Sequence, residues 1–333
     1  MKDLEISVVV IAFNEERNIS SILDSLVGLN YVEFEVLVVD GGSKDKTQEI
    51  VKKYAKKDKR IKLVVDDGGS ITSSRNLGVK KAKFDYIAFT DADCIVPKNW
   101  LRNYVTEFSK YKKKYAGKGK ELAGVGGANI PPVDCNKFQK ALGVVFDSML
   151  GSLGSIQAKV FDADKEAWSI SCSNSFYLKK SLIDVGLFSE DLGNQGEDWE
   201  MGYKMQKKGY KLIGLKSSFV WHNMRSSPLN FWKNMVFYGD GRMRLNKKLL
   251  DAIKLKYLLP FPFIIGMASV VLVFLHWIFY IPLLYFPFIF VYSSGLCIKK
   301  GKIGLLHLVF MTFLIQHFGY ALGMVKGLRW LVK

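Results

Sequence analysis

The sequence predicts an α/β domain on a doubly wound, mostly parallel sheet, followed by an α-helical region inside a membrane. Three observations predict it. Short runs of β-branched apolar residues alternate with segments of helical period over the N-terminal third, the pattern of successive βαβ units. Several of the strand-like runs end in Asp, at the edge where open α/β sheets collect ligands. After residue 256 no Asp or Glu occurs, and two long runs carry no charge. With 333 residues the chain is long enough for two domains of ordinary size.

Taken in order, Ile6–Ala12 (ISVVVIA) reads as a central strand, apolar on both faces. Asn14-Glu15-Glu16 turns the chain, and Ile19, Ile22, Leu23 and Leu26 then recur at helical spacing. Residues 34–39 (FEVLVV) form a second strand ending at Asp40, and Gly41-Gly42-Ser43 breaks it. Residues 44–57 read as a helix, and residues 61–65 as a third strand running into Asp66-Asp67-Gly68-Gly69. Residues 73–82 are helical in pattern, and residues 86–90 form a fourth strand that runs into Asp91-Ala92-Asp93. Residues 1–225 are expected to form the α/β domain, 226–256 a basic juxtamembrane helical segment, and 257–333 a membrane region of two or three helices.

Asp40, Asp67, Asp91 and Asp93 would all lie along one sheet edge. Carboxylates crowded together raise one another's pKa unless a cation is shared, so a divalent metal is the simplest reason to keep them. An isolated Asp-x-Asp is usually a solvated turn; this one follows a strand and stands in register with earlier strand-end Asp residues. Glu197-Asp198 follows Gly193-Asn194-Gln195-Gly196 and opens a helical pattern. Acidic residues there are ordinary helix-start chemistry, and equally a candidate general base.

At this point the residues resemble a known family. Residues 9–15 (VVIAFNE), 38–45 (VVDGGSKD), 74–78 (SRNLG) and Asp91-Ala92-Asp93 look like the nucleotide-sugar half of family 2 glycosyltransferases of the GT-A fold. Residues 185–188 (VGLF), Gly196-Glu197-Asp198, residues 208–210 (KGY), Trp221-His222 with Arg225, and residues 238–242 (YGDGR) resemble the later half. The resemblance implies a role for each position. Asp40 would contact the nucleobase, with Ala12, Phe13, Asn14, Glu15 and Gly41 lining that pocket beside Asp67. Arg75 would sit near the base or the phosphates, its alternative being a surface ion pair. Asp91, with Ala92, would contact the ribose or the metal, and Asp93 would bind Mn²⁺ or Mg²⁺, ions that suit hard oxygen ligands. Asp198, beside Glu197, would be the general base of an inverting displacement. Asn174 matches the segment that approaches the donor sugar, although the family more often has Gly where Cys172 or Ser173 stands. His222 would lie near the metal or diphosphate, or would be a packed aromatic beside Trp221. Trp199, Arg225, Arg242 and Arg244 are expected to hold diphosphate or acceptor. The Gln-x-x-Arg-Trp motif of processive synthases does not occur, which argues against a processive enzyme.

The tail completes the expectation. Residues 257–298 and 303–325 carry no charge, and a bilayer crossing takes about 20 helical residues. A hairpin over 257–298 would return Lys299, Lys300 and Lys302 to the cytoplasm, as the positive-inside bias asks. A third crossing over 303–325 would place Lys326, Arg329 and Lys333 outside, against that bias, and is expected nonetheless; lying at the interface is its alternative. The chain opens Met1-Lys2-Asp3 and enters a strand pattern, so no cleavable signal is expected and the α/β domain stays cytoplasmic, on a multi-pass protein of the cell membrane.

Charge and cysteine usage narrow the partners. The net charge of +17 is scattered rather than gathered in one motif, which argues against nucleic acid. The four cysteines have no metal-ligand spacing and read as free thiols. Residues 110–120 (KYKKKYAGKGK) form a solvated excursion or touch lipid headgroups, and residues 150–168 lie where such enzymes carry an acceptor loop. The expected reaction is sugar transfer from a UDP- or GDP-sugar to a polyprenyl-linked acceptor. Transfer directly to polyprenyl phosphate, and a non-catalytic nucleotide-binding membrane subunit, are the competing readings.

Overall fold

The computed structural model describes residues 4–116, 119–152, 162–252 and 255–332. The chain forms two compact units, one of residues 1–132 and 155–223, the other of residues 133–154 and 224–333. Part of each segment singled out at 110–120 and 150–168, and Lys333, lie outside the described residues.

Among the described residues the first unit has nine strands: β1 (Ile6–Ala12), β2 (Phe34–Asp40), β3 (Ile61–Val65), β4 (Tyr86–Asp91), β5 (Cys94–Ile95), β6 (Glu121–Ile130), β7 (Lys165–Ala167), β8 (Asn174–Leu178) and β9 (Tyr210–His222). Their order is β3-β2-β1-β4-β8-β6-β9-β5, with β7 added beside β9. The first four strands in that order are parallel. β8 then runs antiparallel to β4, and β6 antiparallel to β8. Register aligns Ala12 with Asp40 and Ile11 with Asp91, so the carboxylates do share one edge.

The unbroken apolar runs follow from burial on both faces. Val8 and Val10 pack with Ile19, Ile22, Leu23 and Leu26 on one side, where Trp100, Tyr104 and Phe108 join them. Val9, Leu37 and Val39 pack with Val79, Leu182, Met201 and Met205 on the other. The helix expected over 44–57 begins at Thr47, because Asp45 accepts hydrogen bonds from the Thr47 amide and hydroxyl and holds a turn there. The helix expected over 73–82 spans Ile71–Lys81 and is capped by Ser70, whose Oγ accepts from the Ser73 amide. β6 escaped the sequence reading because Gly124, Gly126 and Gly127 interrupt its apolar pattern.

In the second unit the helix Lys137–Phe146 starts on a reciprocal cap between Asn136 and Gln139. Its face of Ala141, Val144 and Val145 packs against Ile289, Cys297, Val309 and Phe313. Residues 133–154 thus belong with the C-terminal helices, whereas the sequence reading assigned them to the α/β domain; their apolar face finds its cover from residues far along the chain. The helix Pro228–Lys248 lies along the helix Leu306–Gly327 at backbone contact. A Cβ on Gly239 would stand 2.1 Å from the Tyr320 carbonyl oxygen, and one on Gly323 2.2 Å from that of Val236. Small residues permit such an approach.

Three apolar helical stretches follow residue 257: Pro260–Leu272, Trp277–Lys299 with 23 residues, and Ile303–Leu331 with 29. The latter two are long and apolar enough to cross a membrane. The first rises about 20 Å, short of a hydrocarbon core of about 30 Å. The hairpin expected over 257–298 is therefore not a pair of full-length helices. Its turn falls before Trp277, where the His276 ring accepts the Ile278 amide.

Candidate active site

The loops after β1 and β2 fold onto each other at the carboxyl edge. Asn14 has φ of 55°, and its amide donates to Ser43 Oγ while its side-chain oxygen accepts the Lys44 amide. The Glu15 amide donates to Thr47 Oγ1. Asp40 is fully buried beneath this interlock. It accepts four hydrogen bonds, from the Gly42 and Ser43 amides, the Ser43 hydroxyl and Gln48 Nε2. Direct contact between Asp40 and a nucleobase, expected from the sequence, is not offered by this arrangement. Asp40 organises the loop instead, and what the loop exposes is the Phe13 ring, 58% accessible, beside Gly41. Ala12 is buried and holds the Gly41 amide through its carbonyl. Asp67 is exposed and lies beside Gly42.

Arg75 is the hub of the site. It lies on the helix Ile71–Lys81 and is only 3% exposed. Its Nη1 donates to Glu197 Oε1 at 2.5 Å and stands 3.7 Å from Asp198 Oδ1. Nη2 reaches Asp91 Oδ1 at 3.4 Å, and the guanidinium sits over the Phe188 ring. Burial disfavours its charge, but Cys172 and the carboxylates of Glu197, Asp91 and Asp198 together outweigh that and raise its pKa well above the ordinary value. Arg75 is therefore neither on the surface nor free for phosphate; it binds the β4 carboxylate to the Glu197-Asp198 pair.

That pair opens the helix Glu197–Lys207, entered through Gly196 with φ of 75°, a left-handed conformation that favours glycine. Asp198 Oδ1 accepts the Cys172 amide at 3.2 Å. Burial first, and then the charge of Glu197, push its carboxyl up to about 7, while Arg75 and the Cys172 side chain oppose the rise. Ser173 Oγ donates to Asp91 Oδ2 at 2.5 Å. The segment Ser171-Cys172-Ser173 thus touches both acidic centres. Asn174 does not: it is fully buried, its Oδ1 accepts from Trp100, Tyr104 and Ser218, and its Nδ2 donates to the Ala128 carbonyl. It holds β8 in the core rather than approaching a sugar. Ala92 is likewise buried and contributes its backbone, donating to the Ile11 carbonyl.

A second cluster forms where β5 pairs with β9 and sets Cys94 opposite His222. Asp93 Oδ2 and His222 Nε2 are 3.2 Å apart, and with Cys94 Sγ the three potential ligand atoms lie within 4.8 Å of one another. The Asn223 amide donates to the Asp93 carbonyl and pins the loop. Carboxylate oxygen and imidazole nitrogen fit a divalent cation of the Mn²⁺ or Mg²⁺ kind. Cys94 fits poorly, because burial and the nearby carboxylates of Asp93 and Asp91 keep its thiol protonated. Asp91, expected near the metal or ribose, is engaged by Arg75 and Ser173.

Next to Asp198, Trp199 stands one turn from Tyr203, their rings nearly parallel at 6.3 Å, and Trp168 meets Trp199 at 5.8 Å. Arg225, Arg242 and Arg244 belong to the second unit. There Arg242 donates to the Tyr320 hydroxyl and lies over the Tyr257 ring, and Arg244 lies over Trp330.

Residues 7–184 match the sequence profile described as Glycosyl transferase family 2. The chain belongs to that family. It is a glycosyltransferase, and its first unit has the GT-A fold. The transferase is similar to the dolichyl N-acetyl-α-D-glucosaminyl phosphate 3-β-D-2,3-diacetamido-2,3-dideoxy-β-D-glucuronosyltransferase of Methanococcus voltae, 25% identical over 97% of this chain and 98% of the relative. It is 24% identical to the poly-β-1,6-N-acetyl-D-glucosamine synthase of Staphylococcus aureus (strain COL), over 81% of this chain and 64% of that one. Among solved structures, a mannosyltransferase from Pyrobaculum calidifontis, in complex with GDP-Man and Mn²⁺, superposes with a TM-score of 0.66 at 17% identity, covering 98% of the transferase and 88% of that chain.

The sequence reading missed Ser173 and Cys172 as partners of the acidic residues and Trp168 as a neighbour of Trp199. The signal for the first two was present, since the segment was singled out; only the side chain chosen from it was wrong. Trp168 carried none, because its partner lies on an element distant in sequence.

Proposed function

We propose that the transferase moves one sugar from a UDP- or GDP-sugar to a lipid-linked glycan acceptor, with inversion at the anomeric carbon and with a divalent cation held by Asp93 and His222. The observation that carries this reading is the Arg75 bridge, which ties Asp198 to the β4 carboxylate at the ligand-binding edge of the sheet. Asp198 is the base. Its raised pKa suits removal of a hydroxyl proton near neutral pH. Arg75 and the Cys172 amide orient the carboxylate, and Ser173 orients Asp91. A cation bound at Asp93 and His222 would supply Lewis acidity to the leaving diphosphate. Phe13 offers a ring face to a nucleobase beside the Asp40 loop. Trp168, Trp199 and Tyr203 offer ring faces to an acceptor sugar next to the base.

The Methanococcus relative is named for a dolichyl-linked saccharide acceptor, and the apolar tail gives the transferase a place to meet such a lipid. The test is a transfer screen of UDP-, GDP- and dTDP-sugars against polyprenyl phosphate and polyprenyl-linked N-acetylglucosamine, with product anomers read by NMR. The expected result is an inverted glycoside on the sugar-bearing acceptor. Transfer to bare polyprenyl phosphate alone would replace this reading with that of a polyprenyl-phosphate sugar synthase, whose anionic acceptor needs no base. Retention of configuration would remove Asp198 from its role.

A further inference from the structure

The sidedness of the last apolar helix follows from contacts inside the second unit. Among the described residues, no stretch before Pro260 is apolar and long enough to cross a membrane. Asp147, Gly151 and Asp240 therefore lie on the same side of the membrane as the sheet-bearing unit to which the chain joins them. Lys300 makes an ion pair with Asp147 just before the stretch Ile303–Leu331 begins. Midway along it, Gln316 Nε2 donates to the Gly151 carbonyl at 2.6 Å. Near its end Arg329 donates to Asp240 at 2.9 Å, and Trp330 Nε1 donates to the same carboxylate at 3.2 Å.

A 29-residue helix is about 43 Å long. If it crossed, one of its ends would be stranded across the bilayer from its partners. The alternative, that Pro228–Lys248 crosses beside it, would draw Lys233, Asp240, Arg242, Arg244 and Lys247 into hydrocarbon, where charges are costly. The glycine stripe Gly319, Gly323 and Gly327 faces Pro228–Lys248, whereas Leu322, Val325, Leu328 and Leu331 are exposed near the end of the helix, among the exposed Lys326 and Arg329. Exposed apolar residues beside Lys326 and Arg329, next to a protein-covered face, suit a helix end lying in the membrane surface.

We propose that Ile303–Leu331 is an interfacial helix on the catalytic side, with Ile303 at its start and Leu322, Val325, Leu328 and Leu331 near its end against lipid. The segment from Pro260 to Lys299 enters and leaves the bilayer through that same face, so its exposed Val271, Phe274, Trp277 and Val291 meet acyl chains. This arrangement also places Lys299, Lys300, Lys302, Lys326 and Arg329 on one side, which resolves the conflict with positive-inside that a third crossing creates. It is independent of the reaction catalysed.

The test is labelling by a membrane-impermeant maleimide, on the full chain in bacterial membranes and in a Cys135→Ser background. Single sites are Lys52→Cys in the sheet unit, Lys302→Cys and Lys326→Cys, all at exposed positions. All three are expected to react in inverted vesicles and none in intact cells. Reaction of Lys326→Cys or Lys302→Cys from the face opposite Lys52→Cys would overturn the proposal. So would release of the chain from membranes by alkaline carbonate. Should a substituted chain misfold, an epitope tag after Lys333 on the otherwise unaltered sequence gives the same reading: protease reaches it only after permeabilisation, and access in intact cells refutes the arrangement.

Discussion

Asp198 carries two opposed demands. As the proposed base, its carboxylate must be basic enough to take a proton, and the burial that makes it so also costs stability once it ionises. Its native pKa of about 7 lies above the ordinary 3.8. For an acid this means the fold is penalised progressively as pH rises between those values, and fully above them. Asp198→Asn should therefore lower turnover roughly 10²–10⁴-fold while raising the melting temperature at pH 8 and leaving it nearly unchanged at pH 4. Thermal scans at the two pH values check this, and a lower melting temperature at pH 8 would mean that Arg75 contributes more than burial removes. In the wild type, kcat/KM should climb through an acid limb near pH 7. At the other cluster, Asp93→Asn and His222→Ala should each abolish Mn²⁺-dependent transfer with the fold intact. EDTA should silence the wild type, and added Mn²⁺ should restore it. Full activity of Asp93→Asn in chelator would remove the cation from this position. Asp93 was legible as a strand-end carboxylate; that His222 faces it is a product of β5–β9 pairing.

Among the elements, the β1–β4 core was legible because each strand is a mostly apolar run, and β2, β3 and β4 each run into Asp. The later strands were not, since β6 and β8 spend their positions on Gly, Ser and Asn that pack against other backbone. The helix pair Pro228–Lys248 and Leu306–Gly327 has the same character. Its glycines were visible, but not the helix they touch. Gly323→Ala should push the backbones apart, because its Cβ would press on the Val236 carbonyl, at a cost of about 1–3 kcal/mol. Gly304→Ala has open space around it and should be close to neutral. Thermal unfolding of the full chain in detergent compares the two, and equal stability would mean that the helices slide without penalty.

For the whole molecule, the unit boundaries decide what can be cut away. Residues 133–154 lie within the sequence of the α/β domain but share a core with residues 285–313. Phe231 and Met235 are covered in part by Leu308, Met311 and Ile315. A chain ending at residue 256 should therefore expose Ala141, Val144, Val145, Phe231 and Met235 together and aggregate without detergent, as size-exclusion chromatography would show. A monodisperse, active truncation would mean that the catalytic unit needs none of this cover.

Periodicity and strand-end chemistry, read from the sequence alone, determined the parallel core, the acidic edge and the apolar tail, because all three are written in contiguous residues. The family's motifs named Asp198 and Asp93 for the same reason. Only the tertiary structure decided that Arg75 joins the acidic groups, that Asp40 and Asn174 are buried organisers, and that the last apolar helix has both ends tied to earlier segments of its own unit. Each of these depends on which distant backbone closes over a side chain, and a polar residue reads the same in sequence whether it faces a ligand or the core.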